Sequence, residues 1–183
     1  MQKINKILYM NQDGYRVTDK YVLFWGSEFS NFYPCKIIFD NKEFTSAEQL
    51  FMWCKAHCFQ DYASEELIIS AKTPKEAKKL GRLVKGFDDE RWSQVRFGYM
   101  RWCVYEKFRQ NPELKELLLK FGKDHNFVEG SPYDKIWGIG IHFEDELAND
   151  SNNWKGENLL GQALDMVYNE LSTTPENKNV KML

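Results

Sequence analysis

KIIFDNKEFTSAEQLFMWCKAHCF, Lys36 to Phe59, changes its hydrophobic period half-way along. As far as Phe44 it reads as two short strands joined by turn chemistry at Asp40-Asn41. From Ser46 onward Ala47, Leu50, Phe51, Cys54 and Cys58 recur at intervals of three and four, which marks a helix with a buried stripe. Upstream, YVLFWG (Tyr21 to Gly26) reads as a further strand. Downstream the pattern is almost wholly helical. Thr73-Pro74-Lys75-Glu76 is a capping box with Pro at the first helical position, so a helix starts there and runs to about Arg82. Asp89 to Gln110 places Trp92, Val95, Tyr99, Trp102 and Cys103 on one side, and Asn111-Pro112 restarts a helix that Gly122 terminates. Asn158 to Leu171 carries the stripe Leu160, Leu164, Val167, Leu171. One more strand is expected around Ile136 to Phe143. With no regular strand-helix alternation, the pattern predicts an α+β, predominantly helical single domain with a few short N-terminal strands, not a doubly wound sheet. The domain is expected over residues 24–171, preceded by an N-terminal extension packed on it (1–23) and followed by a polar, flexible tail (172–183).

At 183 residues the chain has room for one full-sized core. Aromatic residues make up 15% of it, with six Trp, more than packing requires, and surplus aromatic surface often lines ligand pockets. No apolar run approaches a membrane span and the N-terminus lacks a leader's apolar core, so a cytoplasmic protein is expected. Cys35, Cys54, Cys58 and Cys103 lack CxxC spacing and fall in apolar patterns, which suits buried thiols. Cys54, His57 and Cys58 share a helical face but no fourth ligand follows at a sensible spacing, so no metal site is expected. The glycines of GIG and GENLLG complete neither a dinucleotide nor a phosphate-loop fingerprint. Net charge is -2, but Lys72 to Arg109 holds eleven Lys or Arg against five acids, and Asp124 to Glu170 two against ten. Such asymmetry can set a phosphate-attracting wall against an acidic one, or can simply be two solvated faces.

Two places carry candidate chemistry. Glu48 and Lys55, seven residues apart, project about 20° from each other around a helix and lie roughly 10 Å apart along it. They share a face next to the buried stripe. An ordinary exposed pair fits the same spacing, whereas a desolvated acid there is prepared for proton transfer near neutrality. The second place is SPYDKIWGIG, Ser131 to Gly140. Asp134 and Trp137 offer a negative charge for a cationic sugar centre and a flat wall for a heterocycle; equally, Asp134 can cap its own turn while Trp137 packs inward. Gly138 and Gly140 let a ligand or a neighbouring chain segment approach the backbone.

Five blocks occur in a recognisable order: FWGSEFSNFYP (Phe24 to Pro34), FTSAEQLFMWCKA (Phe44 to Ala56), AKKLGR (Ala77 to Arg82) with a following Trp92, SPYDKIWGIG, and WKGENLLGQAL (Trp154 to Leu164). Together they resemble the YbiA-like, or NADAR (NAD- and ADP-ribose-associated), family over nearly the whole chain. One departure is Glu48-Gln49, where many members carry Glu-His.

The resemblance implies an N-glycosidase of the cytosol that needs neither metal nor cofactor. Family activities include cleavage of phosphoribosylamino-pyrimidine intermediates of riboflavin synthesis and removal of ADP-ribose from the exocyclic amine of guanine in DNA or RNA. These substrates share one bond, from ribose C1 to an exocyclic amino nitrogen. Carried onto this chain, the resemblance implies Glu48, Lys55 and Asp134 as catalytic residues. It implies Trp25, Gly26, Ser30, Asn31, Phe32, Arg82, Trp92, Trp137, Gly138 and Gly140 as substrate-binding. A non-catalytic module that binds ADP-ribose or a related nucleotide is the competing expectation.

Overall fold

A computed structural model describes residues 9–11, by their backbone, and 14–173. Three short strands open the chain, β1 (Tyr9–Asn11), β2 (Tyr15–Val17) and β3 (Tyr21–Phe24), paired antiparallel in succession. A separate hairpin follows, β4 (Ile37–Phe39) and β5 (Lys42–Phe44). Its turn residues Asp40 and Asn41 have φ of 49° and 56°, the left-handed pair that a two-residue hairpin turn demands and that Asp and Asn tolerate best.

Five helices come next: α1 (Ala47–Cys58), α2 (Tyr62–Ile69), α3 (Pro74–Gly81), α4 (Asp89–Gln110) and α5 (Pro112–Gly122). α3 is capped as the sequence predicts, Thr73 Oγ1 accepting from Glu76 N–H at 3.1 Å, and Ser46 Oγ caps α1 by accepting from Gln49 N–H at 3.1 Å. The chain then lays β6 (Asn126–Glu129) parallel to β3, pairing Tyr21 with Asn126 and Phe24 with Glu129, and ends its described part in α6 (Leu159–Thr173). The fold is α+β and predominantly helical. Among the described residues no helix is long and apolar enough to cross a membrane.

α1 lies at the centre, with α2, α3 and α4 packed around it. Nine of its twelve residues are therefore buried, not the single stripe the periodicity marks. α2 has no counterpart in the sequence reading, because only Glu65 and Ile68 of its eight residues are buried and no stripe develops.

The strand expected around 136–143 is not formed, and the strand lies instead at 126–129. The reason is a competing use of the backbone. The carbonyls of Lys135, Ile136, Trp137, Gly138 and Ile139 accept N–H groups of Glu157, Leu159, Leu160, Asn158 and Lys155 at 2.9 to 3.2 Å. This irregular segment thus satisfies the first N–H groups of α6, which would otherwise lack partners. The expected tail from 172 closes α6 at 172–173 and otherwise lies outside the described residues.

Candidate active site

Glu48 is the second residue of α1 and only 4% exposed. Its N–H donates to the Asn31 carbonyl at 3.0 Å, which ties the start of α1 to the FWGSEFSNFYP loop. That loop is fastened from α4: the buried ammonium of Lys107 donates to the carbonyls of Glu28 at 2.5 Å and Ser30 at 2.8 Å. Ser30 Oγ accepts from Phe32 N–H at 3.2 Å within its own turn. Asn31 Nδ2 meets Met100 Sδ at 2.8 Å while its buried Oδ1 has no hydrogen-bond partner among the described residues. Phe32 keeps an open face beneath the Lys78 ammonium, 5.4 Å from the ring centre. Trp25 stands edge-on to His142 at 5.2 Å and beside the exposed Tyr133 at 5.9 Å. Gly26 has φ of +81° and nothing near where a Cβ would sit.

Beside the first residue of this loop, where it pairs with Phe24 of β3, β6 delivers Glu129. Its N–H donates to Asn158 Oδ1 at 3.0 Å and its carbonyl accepts from Ile139 N–H at 2.9 Å, so the backbone is held on both sides. The half-buried Asp134 spends Oδ1 on its own turn, accepting from Ile136 N–H at 3.0 Å and Trp137 N–H at 2.8 Å. Trp137 rests edge-on against Phe51 at 5.3 Å. The glycines serve the chain itself. A Cβ on Gly138 would come within 2.8 Å of the Glu129 carbonyl, and one on Gly140 (φ +67°) within 3.2 Å of Lys135 and Lys155 side-chain carbons.

The acids influence one another. Burial raises the Glu48 carboxyl to about 7, with Lys78 and Arg82 opposing the rise and Asp134 adding to it. Glu129, which keeps some solvent contact, is raised to about 8, chiefly by burial and then by Asp134 and Glu48, against Lys78. Among the described residues neither Glu48 nor Glu129 has a hydrogen bond or ion pair on its carboxyl. Other buried acids are paired: Glu65 with His57 at 3.0 Å, Glu106 with Arg109 and Gln110 at 2.6 Å, Asp61 with Ser64 Oγ at 2.6 Å. Two desolvated carboxyls that share Asp134 and Lys78 as charged neighbours and have no partner of their own mark a candidate site.

Lys55, seven residues on from Glu48 in α1, lies against aromatic rings. Its ammonium lies 3.9 Å from the Phe87 ring centre and 6.0 Å from that of Trp92. Burial lowers its pKa, Asp89 resists this and Arg82 assists it. Trp92 is buried, stacked on Tyr99 at 5.8 Å, with Phe51 at 5.3 Å. Because Phe51 touches both Trp92 and Trp137, one aromatic floor runs from the Lys55 side to the Asp134 side.

The sequence reading missed Glu129. It lies five positions before Asp134, but with the strand expected further on, nothing marked it as the end of one. Gln49, the departure from the Glu-His pattern, ties the fold together: Oε1 accepts from Thr45 N–H at 2.7 Å and Nε2 donates to the Ile68 carbonyl at 2.9 Å. His57 stacks on Trp53 and pairs with Glu65, and Cys54 Sγ faces Cys103 Sγ at 4.0 Å.

Compared with known proteins, residues 23–172 match the family model described as the NADAR domain. The chain belongs to the NADAR family. Among NADAR relatives, the mimivirus protein named N-glycosidase R617 (Acanthamoeba polyphaga mimivirus) is 36% identical, the alignment covering 84% of this chain and 97% of that one. Protein irg-1 of Caenorhabditis elegans is 35% identical, over 94% of this chain and 88% of that one. The NMR structure of the Escherichia coli protein YbiA superposes with a TM-score of 0.68 at 28% identity, over 84% of this chain and 86% of that one. The NADAR match begins at Leu23, inside β3, and ends in α6, so it takes in every candidate residue of the site.

Proposed function

We propose that this NADAR chain is an N-glycosidase that hydrolyses the bond between ribose C1 and an exocyclic amine of a heterocycle. The observation that carries the reading is the desolvated Glu48 carboxyl, raised to about 7 and without a partner among the described residues, near Asp134. A module that only binds nucleotides has little need of two such acids, because carboxylates repel phosphates and one acid suffices for a ribose hydroxyl.

An aldosylamine breaks as the amine leaves through an oxocarbenium-like centre that water captures. Glu48, poised near neutrality, moves the proton, and the oxygen of Asp134 not used by its turn stabilises charge at C1. Lys55 opens a second route. Its lowered pKa leaves more of the amine neutral, able to hold the sugar as a Schiff base until water releases it. Lys78 and Arg82, on α3 and at its end, supply cations for phosphate, and Trp137 offers a face to the base above the Phe51 floor. The candidate substrates are the phosphoribosylamino-pyrimidines and ADP-ribosylated guanine, free or in a nucleic acid strand.

The test is chromatographic. The protein is incubated separately with riboflavin-pathway intermediates and with ADP-ribosylated guanine oligonucleotides, and release of free base or restored guanine is measured. Release from one of the two, abolished in Glu48→Gln, is the expected result. Binding without release by the intact protein would establish the nucleotide-binding alternative.

A further inference from the structure

We propose that Glu129 is the proton donor to the departing exocyclic amine, which frees Glu48 to accept the proton of the attacking water. The inference rests on the N-glycosidase reading and adds a catalytic residue to it.

Three observations support the assignment. Glu129 is the last residue of β6, and its N–H and carbonyl are both engaged, by Asn158 and Ile139, so its position is set by the sheet and not by a loop. Its carboxyl has no protein partner among the described residues, so its proton is not committed to the fold. The charges around the two acids differ. Glu48 faces Lys78 and Arg82, which favour its ionised form, with Asp134 as the opposing acid. Glu129 faces two acids, Asp134 and Glu48, and only Lys78 as a cation. Of the pair, Glu129, among acids, is therefore the better placed to hold a proton, and Glu48, beside two cations, to accept one.

The step balances. The C1–N bond breaks with its electron pair going to nitrogen, and the Glu129 proton neutralises that nitrogen to give the free amine. Water adds its oxygen to C1 and yields a proton to Glu48, and transfer of one proton from Glu48 to Glu129 restores the starting state. If Lys55 is the first nucleophile, the amine still departs with the Glu129 proton.

A series of N-ribosides whose leaving amines differ in basicity tests this. Protonation matters most for the most basic amines, so the Glu129→Gln variant is expected to lose about 10²-fold or more in kcat on those and only a few-fold on the least basic. The alkaline limb of its pH profile should flatten as well. Glu129→Asp, which keeps the acid but retracts it, should recover part of the loss with the same dependence on leaving group, and serves if the glutamine variant folds poorly. A loss that is the same for every amine, or no loss, overturns the assignment while leaving the N-glycosidase reading intact. Wild-type protein that cleaves no member of the series removes both.

Discussion

Asn158 holds Glu129 and Phe127 together with one side chain: its Oδ1 accepts the Glu129 N–H at 3.0 Å and its Nδ2 donates to the Phe127 carbonyl at 3.0 Å. Its own backbone has φ of +55°, a conformation Asn adopts far more readily than most residues. Its N–H donates to the Gly138 carbonyl at 3.2 Å, so the same residue also grips the turn that carries Asp134. Asn158→Ala removes one buried and one part-buried hydrogen bond and is expected to cost about 2 kcal/mol in urea unfolding. Turnover should fall further than the lost stability accounts for, because Glu129 and Asp134 lose their common support.

The paired acids predict how stability depends on pH. Glu48 and Glu129 are raised in the folded chain, from 4.5 to about 7 and about 8. Between those values the folded state holds more protons than the unfolded chain, so their stabilising contribution, full at low pH, is lost as pH rises through the folded values. Urea unfolding should show a more stable protein at pH 5 than at pH 8. Glu48→Gln and Glu129→Gln should each reduce that difference and stabilise the protein at pH 8, on the order of 1–3 kcal/mol, while lowering activity. Lys107 acts in the opposite direction at higher pH. Its pKa is lowered from 10.5 to about 8, so its titration adds stability as pH rises beyond 8. Measurements up to pH 8 largely avoid that window.

Lys107 supports the loop that meets Glu48. Lys107→Met would remove the Lys107 donor from the Glu28 carbonyl and leave the Ser30 carbonyl with only the Tyr33 N–H, at a cost of about 2 kcal/mol. Hydrogen exchange of the Glu48 amide, which bonds the Asn31 carbonyl of the same loop, should quicken more than that of amides in the middle of α4.

Lys55 separates the two chemical routes. If the sugar passes through a Schiff base, borohydride added during turnover traps it on Lys55, seen by mass spectrometry, and Lys55→Arg abolishes the adduct. An enzyme that forms no adduct yet loses activity in Glu48→Gln would follow direct hydrolysis.

Gly156 tests the packing of the site turn on α6. A Cβ there would collide with the Gly138 carbonyl and meet the Lys135 backbone at 2.7 Å, neither of which can yield easily. Gly156→Ala should lower the melting temperature by several degrees, an effect of about 2 kcal/mol.

Much of this molecule is written locally. The hairpin turn at Asp40-Asn41, the caps at Ser46 and Thr73 and the spans of α1, α3, α4, α5 and α6 each depend on residues within a few positions of one another. Those are the distances over which dihedral preference and hydrophobic period act. Spacing leaves Glu48, Lys55 and Asp134 with ordinary structural readings as well, and it is the resemblance to the NADAR family that makes them candidates. What could not be read is whatever needs chain segments far apart in sequence. β3 pairs with β6 across about a hundred residues, the carbonyls of 135–139 serve α6 and not a strand, and Lys107 reaches a loop almost eighty positions away. The protonation of Glu48 and Glu129 belongs to this second kind. Desolvation sums over everything packed around a carboxyl, and that surrounding exists only once the chain has closed on itself.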